Sequence, residues 1–156
     1  DWLPANMPED DGKAGLIHGD YRLDNIMFHK TELRVQAVLD WELSTLGHPY
    51  ADLAYQCMQL RVPRDAVVGG LGGIDRTALG IPTEEQYVDV YCKRRGLDGI
   101  PNWDFYLVFS FFRLAAILQG VLKRAIDGNA SIKKALLYGV LAPILADLAM
   151  DIVAKN

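Results

Sequence analysis

Cysteine is scarce in this sequence: Cys57 and Cys92 stand alone, with no CxxC pair and no framework of spacings. A disulfide-stapled architecture is therefore excluded, and both thiols read as reduced side chains in packed helices of an intracellular, cytoplasmic protein. Positive charge is not in excess either: a net charge of −4 and a pI near 5.3 argue against nucleic acid as a partner. The N-terminus, Asp1-Trp2-Leu3-Pro4, has no basic stretch leading into an apolar one, so it is not a signal peptide. The missing initiator Met suggests a chain cut from something longer. Arg113, Gln119, Lys123, Pro143 and Asp147 interrupt the longest apolar runs, so no membrane span is expected. Gly70-Leu71-Gly72-Gly73 lacks both the Lys-Ser/Thr and the strand-to-helix setting of a nucleotide phosphate loop. No internal repeat is present.

What the sequence does contain is a foldable core. Apolar residues make up 51% and charged residues 23%, which places the chain among globular proteins, as one domain or one lobe of a larger one. Residues 1–14, with Pro4, Pro8 and the acidic run Glu9-Asp10-Asp11, read as a linker or lead-in, and 15–156 as the folded lobe. Ala14 to Ile17 gives a short apolar approach. Ile26 to His29 reads as a strand, Lys30 to Glu32 as a turn, and Leu33 to Leu39 as a second strand. Gly47-His48-Pro49 opens a helix over 48–60, with Pro49 suited to its first position. Residues 61–82 carry five glycines and two prolines and read as a long mobile loop near the substrate entrance. The remainder, 83–156, reads as a helical subdomain. Thr83 to Gln86 matches a capping box and Gly96 a stop; Asn102 can cap a helix over 103–127, and Ser131 one reaching about Ala154, which Pro143 should kink or divide. The expected class is α+β, mostly α.

The chemistry is concentrated in His18-Gly19-Asp20-Tyr21-Arg22-Leu23-Asp24-Asn25, answered fifteen residues after Asn25 by Asp40-Trp41-Glu42. A hairpin between them would bring Asn25 and Asp40 together at its open end. Asp20 then has the position of a base that orients a hydroxyl, and Asn25 and Asp40 offer oxygen ligands to Mg²⁺. The His-x-Asp-x₄-Asn spacing is that of a protein-kinase catalytic loop.

Those motifs, together with Val38-Leu39-Asp40-Trp41-Glu42 and Gly47-His48-Pro49-Tyr50-Ala51-Asp52-Leu53-Ala54, resemble the aminoglycoside phosphotransferase and choline kinase superfamily. Within it, the sequence is most similar to the kinase-like domains fused to, or encoded beside, acyl-CoA dehydrogenases. The resemblance implies the C-terminal helical lobe of a protein-kinase-like fold, with a small β-hairpin (15–42) carrying the catalytic and metal-binding loops. It implies ATP and Mg²⁺ as cofactors, and an aminoglycoside-like, choline-like or hydroxyacyl-CoA acceptor for the phosphate, the nearest subfamily favouring the last. It also implies an association with acyl-CoA dehydrogenase.

By the same resemblance Asp20 is the catalytic base, and Asn25 and Asp40 hold the metal and so the nucleotide. Arg22 meets the transferred phosphate or, alternatively, forms a structural ion pair with Asp24 or Asp52. Glu42 reaches the second metal directly or through water, or is an exposed acid or a partner for an arginine. His18 organises the loop rather than acting as a base, and Asp52 is the helix carboxylate that holds the loop backbone or, alternatively, an ordinary first-turn acid favoured by the helix dipole. His29 and His48 have no ligand spacing and read as surface or capping residues. The aromatic group from Trp103 to Phe112 reads as helix core with some pocket-lining members. Lys93-Arg94-Arg95 reads as a helix C-terminal charge cluster, or more sharply as a site for an anionic substrate tail.

Seventeen residues precede His18, and none supplies the nucleotide-covering loop or the Lys–Glu pair that such a kinase needs. The expected partner is therefore an N-terminal lobe of the same polypeptide. Two other readings stay open: a pseudokinase-like binding or accessory module in acyl-CoA metabolism, and a metal-dependent hydrolase.

Overall fold

The computed structural model describes residues 1–128 and 132–155, and the side chains of all of these except 132–136. Two nested antiparallel hairpins present the motif. The outer one pairs β1 (Gly15–Ile17) with β4 (Thr45–Gly47), Leu16 facing Leu46. The inner one pairs β2 (Ile26–Phe28) with β3 (Val35–Val38), Ile26 facing Val38 and Met27 facing Ala37. The inner hairpin follows from its β-branched residues. Its turn is longer than the sequence suggests, and β3 begins at Val35 rather than Leu33. His29 Nδ1 accepts the Glu32 amide at 3.1 Å, and the Arg34 carbonyl accepts the His29 amide at 3.0 Å, so residues 29–34 close a loop that leaves Leu33 in solvent. The outer pair escapes sequence reading, because three-residue strands carry too little pattern.

Helix α2 (Tyr50–Met58) starts just after Pro49, which takes the capping position instead of the first helical one. His48 supplies the cap, its Nδ1 accepting the Tyr50 amide at 3.3 Å. The lead-in is not wholly extended: α1 (Trp2–Ala5) forms a single turn, and Trp2 and Leu3 pack against the core. Helices α3 (Glu84–Arg95), α4 (Trp103–Ile126) and α5 (Ile132–Val153) complete the body. The core lies where α2 and α5 meet α4, around Ala54, Met58, Leu107, Phe111 and Leu145. By length and composition alone α4 is apolar enough to cross a membrane. In the fold its inner side carries Leu107, Phe111, Leu114 and Leu118 into this core.

Three helix-end expectations can be compared with the structure. The Thr83 capping box forms in both directions, Gln86 N–H to Thr83 Oγ1 at 3.2 Å and Thr83 N–H to Gln86 Oε1 at 2.9 Å, and Gly96 ends α3 in the left-handed conformation. Thr83→Ala is expected to cost about 1 kcal/mol of stability, read from the denaturant midpoint. Asn102 precedes α4 but makes no side-chain cap; its backbone is left-handed (φ 54°), and α4 is anchored instead by Trp103 Nε1 donating to Glu84 Oε1 at 3.1 Å. Pro143 does not divide α5, which runs through it as one helix. The Ser131 cap lies outside the described residues.

The glycine-rich segment 61–82 is irregular but tied down. Leu71 N–H donates to Gln59 O at 2.9 Å and Gly72 N–H to Val62 O at 2.8 Å, and Arg76 Nη1 reaches Leu60 O at 2.7 Å. A Cβ on Gly70 would stand 2.0 Å from Val62 O. Glycine serves close backbone approach at Gly70 and Gly72, whereas Gly69, Gly73 and Gly80 take the positive φ that glycine allows.

Candidate active site

The loop from His18 to Asn25 is held from behind by α2. One carboxylate oxygen of Asp52 accepts the His18 amide at 2.6 Å and the other the Gly19 amide at 2.9 Å. Both N–H groups belong to loop backbone that forms no ladder, so the carboxylate replaces the sheet partner they lack. Gly19 adopts φ 81°, and a Cβ there would meet Leu43 O at 2.5 Å, so the loop needs glycine at this position. His18 is 2% exposed. Its Nδ1 accepts the Asp20 amide at 3.2 Å and its Nε2 lies 2.7 Å from Leu39 O, which requires a neutral ring with the proton on Nε2. His18 therefore clips the 18–25 loop to the strand that leads to Asp40. Its ring packs against Trp41, centroids 4.7 Å apart.

The hairpin register decides what meets in front of that clip. Leu39 N–H bonds Asn25 O at 2.8 Å, so Asn25 and Asp40 emerge at the same open end. Asn25 is buried, and its Nδ2 donates to both Asp20 O at 2.9 Å and Asp20 Oδ2 at 3.1 Å. With the amide nitrogen committed, Oδ1 is the end left for a cation. Asp40 is exposed in a left-handed conformation (φ 65°), and among the described residues its carboxylate, like that of Glu42, has no hydrogen-bond or ion-pair partner. An amide oxygen and a free carboxylate suit a hard divalent ion that takes its other ligands from phosphate and water. Among the described residues no cluster of three or more His, Cys, Asp or Glu could hold a metal by itself. Arg22 lies between two carboxylates of its own loop: Nε is 3.3 Å from Asp20 Oδ2 and Nη1 3.4 Å from Asp24 Oδ2, so of the two expected ion-pair partners it meets Asp24 and not Asp52.

Two residues of this site were not found from the sequence. Tyr55, one turn beyond Asp52 on α2, is buried beside Asp20; burial, then the charge of Asp20 and a hydrogen bond to it, push the phenol up to about 12. Arg113 of α4 donates from Nη2 to the Gly19 carbonyl and lies over the Tyr55 ring, 5.3 Å from its centroid. Sequence reading saw Arg113 only as a break in an apolar run, whereas that charge is what ties α4 to the loop. Arg113→Met is expected to lower stability by about 1–2 kcal/mol, with Arg113→Lys recovering part of it, measured by chemical denaturation.

The remaining sequence candidates fall away from this centre. His29 organises its turn and His48 caps α2. Cys57 and Cys92 are free and buried, and burial pushes the Cys57 thiol up to about 12, which makes it inert. Of the aromatics, Phe111 is core, while Phe109 and Phe112 are exposed. Arg94 lines a cavity of about 390 Å³ with Tyr21, Tyr87 and Tyr91 on the α3 side of the loop.

Comparison with known proteins bears on this geometry. A model of the family described as "Phosphotransferase enzyme family" matches residues 1–103. Mouse acyl-CoA dehydrogenase family member 10 is 49% identical over 156 residues, covering 99% of this chain and 14% of its own length. Human acyl-CoA dehydrogenase family member 11 is 43% identical over 153 residues, covering 97% of this chain and 20% of its own. Among solved structures, a candidate aminoglycoside phosphotransferase from Ralstonia eutropha superposes with a TM-score of 0.90 at 49% identity, over 99% of this chain and 47% of that one. The chain thus spans a fifth or less of these curated relatives and just under half of the solved one.

Proposed function

The chain belongs to the phosphotransferase enzyme family, and from that premise we propose that it is the C-terminal catalytic lobe of an ATP- and Mg²⁺-dependent enzyme that phosphorylates a hydroxyl of a small molecule. The observation that carries this reading is the Asn25 amide. It is bonded through nitrogen to the carboxylate and carbonyl of Asp20, which commits its nitrogen and leaves its oxygen as the ligand end, on a residue that the hairpin register brings to the same open end as Asp40. In this reading Asp20 takes the acceptor proton as the alcohol oxygen bonds to the γ-phosphorus and the bridging P–O bond breaks, releasing ADP. Arg22, already beside Asp20, neutralises charge on the transferred phosphoryl group. A Mg²⁺ ion held by Asn25 and Asp40, with Glu42 nearby, would supply charge neutralisation at the nucleotide phosphates. His18, Asp52, Tyr55 and Arg113 position these groups.

An N-terminal lobe of the same polypeptide is the proposed source of the nucleotide-covering parts, in line with coverage of 47% of the Ralstonia chain. We further propose a hydroxyacyl-CoA acceptor and work alongside an acyl-CoA dehydrogenase; the names of the curated relatives, acyl-CoA dehydrogenase family members, support the acyl-CoA setting only. The test is to incubate the full-length protein with Mg·ATP and a panel of hydroxylated acceptors, and to seek a phosphorylated alcohol by mass spectrometry. Steady ATP hydrolysis without such a product would favour a hydrolase. Nucleotide binding with no turnover would favour a pseudokinase-like module, against which the presence of Asp20, Asn25 and Asp40 together counts. The isolated 156-residue chain is expected to turn over negligibly, because the orientation term it forgoes is worth roughly 7–11 kcal/mol.

A further inference from the structure

The outer side of α4 is apolar where solvent meets it. Phe109, Phe112 and Ile117 are between 40% and 58% exposed and, with Ala116 and Gly120, line a groove of about 500 Å³. Positions 109, 113, 116, 117, 120 and 124 recur at helical spacing, so the groove runs along one side of the helix. A Cβ on Gly120 would meet nothing within 4 Å. Packing therefore does not call for glycine there, and its effect is to keep the groove open in the middle of a helix that glycine disfavours. Two features separate this face from a plain apolar patch. Arg113 lines it, and the same side chain donates to the Gly19 carbonyl and lies over Tyr55, which hydrogen-bonds Asp20. The lining also includes Arg124 and no carboxylate. The next acid along the chain, Asp127, gives both oxygens to Lys123, at 2.7 and 2.8 Å, and among the described residues Arg124 has no ion-pair partner.

We propose that this groove binds the acceptor as an amphipathic anion: its apolar chain lies over Phe109, Phe112, Ala116 and Gly120, and a negatively charged group on it, carboxylate or phosphate, meets Arg124. The inference rests on the phosphotransferase reading above. Continuity with the site argues for the acceptor as occupant, since Arg113 belongs both to the groove and to the ties that hold the loop beside Asp20. The volume falls within the roughly 300–1,000 Å³ of small-molecule sites. Arg113 and Arg124 are separated by roughly 16 Å of helix, enough for a chain of several carbons between the reacting hydroxyl and the charge. An aminoglycoside-like polycation or a choline-like ammonium would find apolar walls and the Arg124 charge with no acid in the lining to offset it, so this face selects against both. Phe109, Phe112, Ala116, Gly120 and Arg124 are thus specificity-determining residues for the acceptor.

The probes are 8-hydroxyoctanoate, 8-hydroxyoctanoyl-CoA and the neutral 1,8-octanediol, titrated into the full-length protein. Hydrogen–deuterium exchange of residues 109–124 gives the half-saturating concentration of each at this face. A charged probe is expected to half-saturate at least about threefold below the diol, and Arg124→Gln to remove that advantage while leaving the diol unchanged. The free acid showing it assigns the charge to a carboxylate, and the thioester alone showing it assigns the charge to a carrier phosphate. Gly120→Phe fills the groove where the fold leaves room, and should raise the half-saturating concentration of all three at least about tenfold. Ala116→Phe repeats the block one turn away should Gly120→Phe move the denaturation midpoint. No advantage for either charged probe, an advantage that survives Arg124→Gln, or binding indifferent to both blocking variants would overturn the proposal. The absence of any protection, as when the rest of the polypeptide covers this face, would do so too. The two readings fail separately. Binding that depends on Gly120 and Arg124 with no phosphorylated product sinks phosphoryl transfer and keeps the groove, while phosphorylated product without that dependence does the reverse.

Discussion

Asp52→Ala is expected to cost about 3–5 kcal/mol of folding stability and to lower phosphotransfer at least about 100-fold. The carboxylate accepts two backbone N–H groups, from His18 and Gly19, at 2.6 and 2.9 Å. Hydrogen bonds to a charged acceptor contribute about 1.5–3 kcal/mol each, and here no second acceptor stands ready for either donor. Released, the loop lets Asp20 drift from Asn25, and a displacement of about 1 Å already costs two orders of magnitude in rate. Asp52→Asn keeps the size and one acceptor oxygen but turns an amide N–H₂ toward the other backbone donor, so its loss should be intermediate. Equilibrium denaturation of both variants, with turnover of the full-length protein, checks the order. An alanine variant as stable as the parent would show that the loop is held by His18 and Arg113 alone.

The second large effect falls on rate rather than stability. Asp20→Asn is expected to reduce kcat by about 10²–10⁴ while moving the denaturation midpoint by no more than about 1 kcal/mol. Asparagine keeps an oxygen for the Asn25 amide and the Tyr55 phenol, so the local frame survives. It cannot take a proton from the acceptor. Asp40→Asn makes the paired comparison: asparagine tolerates the left-handed backbone at this position, so only the charge offered to the cation is lost. For that variant the loss should appear as a weaker Mg²⁺ dependence, with activity partly restored at high Mg²⁺, whereas no Mg²⁺ concentration should rescue Asp20→Asn. Titrating Mg²⁺ against initial rate separates the two. If both variants respond alike to the metal, the division of labour between base and ligand is wrong.

Much of the fold can be read along the chain because its determinants are local. The β-branched residues of 26–38 make the inner hairpin, the Thr83–Gln86 box starts α3, and Gly96 stops it; each depends on residues a few positions apart. Where local rules compete, the reading slips. Asn102 looks like a cap but its backbone turns left-handed, and Trp103 finds Glu84 instead, nineteen residues back. Pro143 predicts a kinked or divided helix, and α5, packed along α4, runs through it undivided. The glycines of 69–72 resemble a flexible loop in composition and are held against 59–63 by backbone hydrogen bonds.

The sequence by itself determined the His18-to-Asn25 motif, the hairpin that folds Asn25 back toward Asp40, and the helical succession, since each is written in local spacing along the chain. Tertiary structure alone decided that Arg113 reaches the Gly19 carbonyl across a separation of 94 residues and that Tyr55 stands beside Asp20. The reason is that periodicity reports which face of a helix is buried but not which group it is buried against. A partner for a buried polar atom is chosen by how the helices pack, and that choice leaves no repeat in the chain.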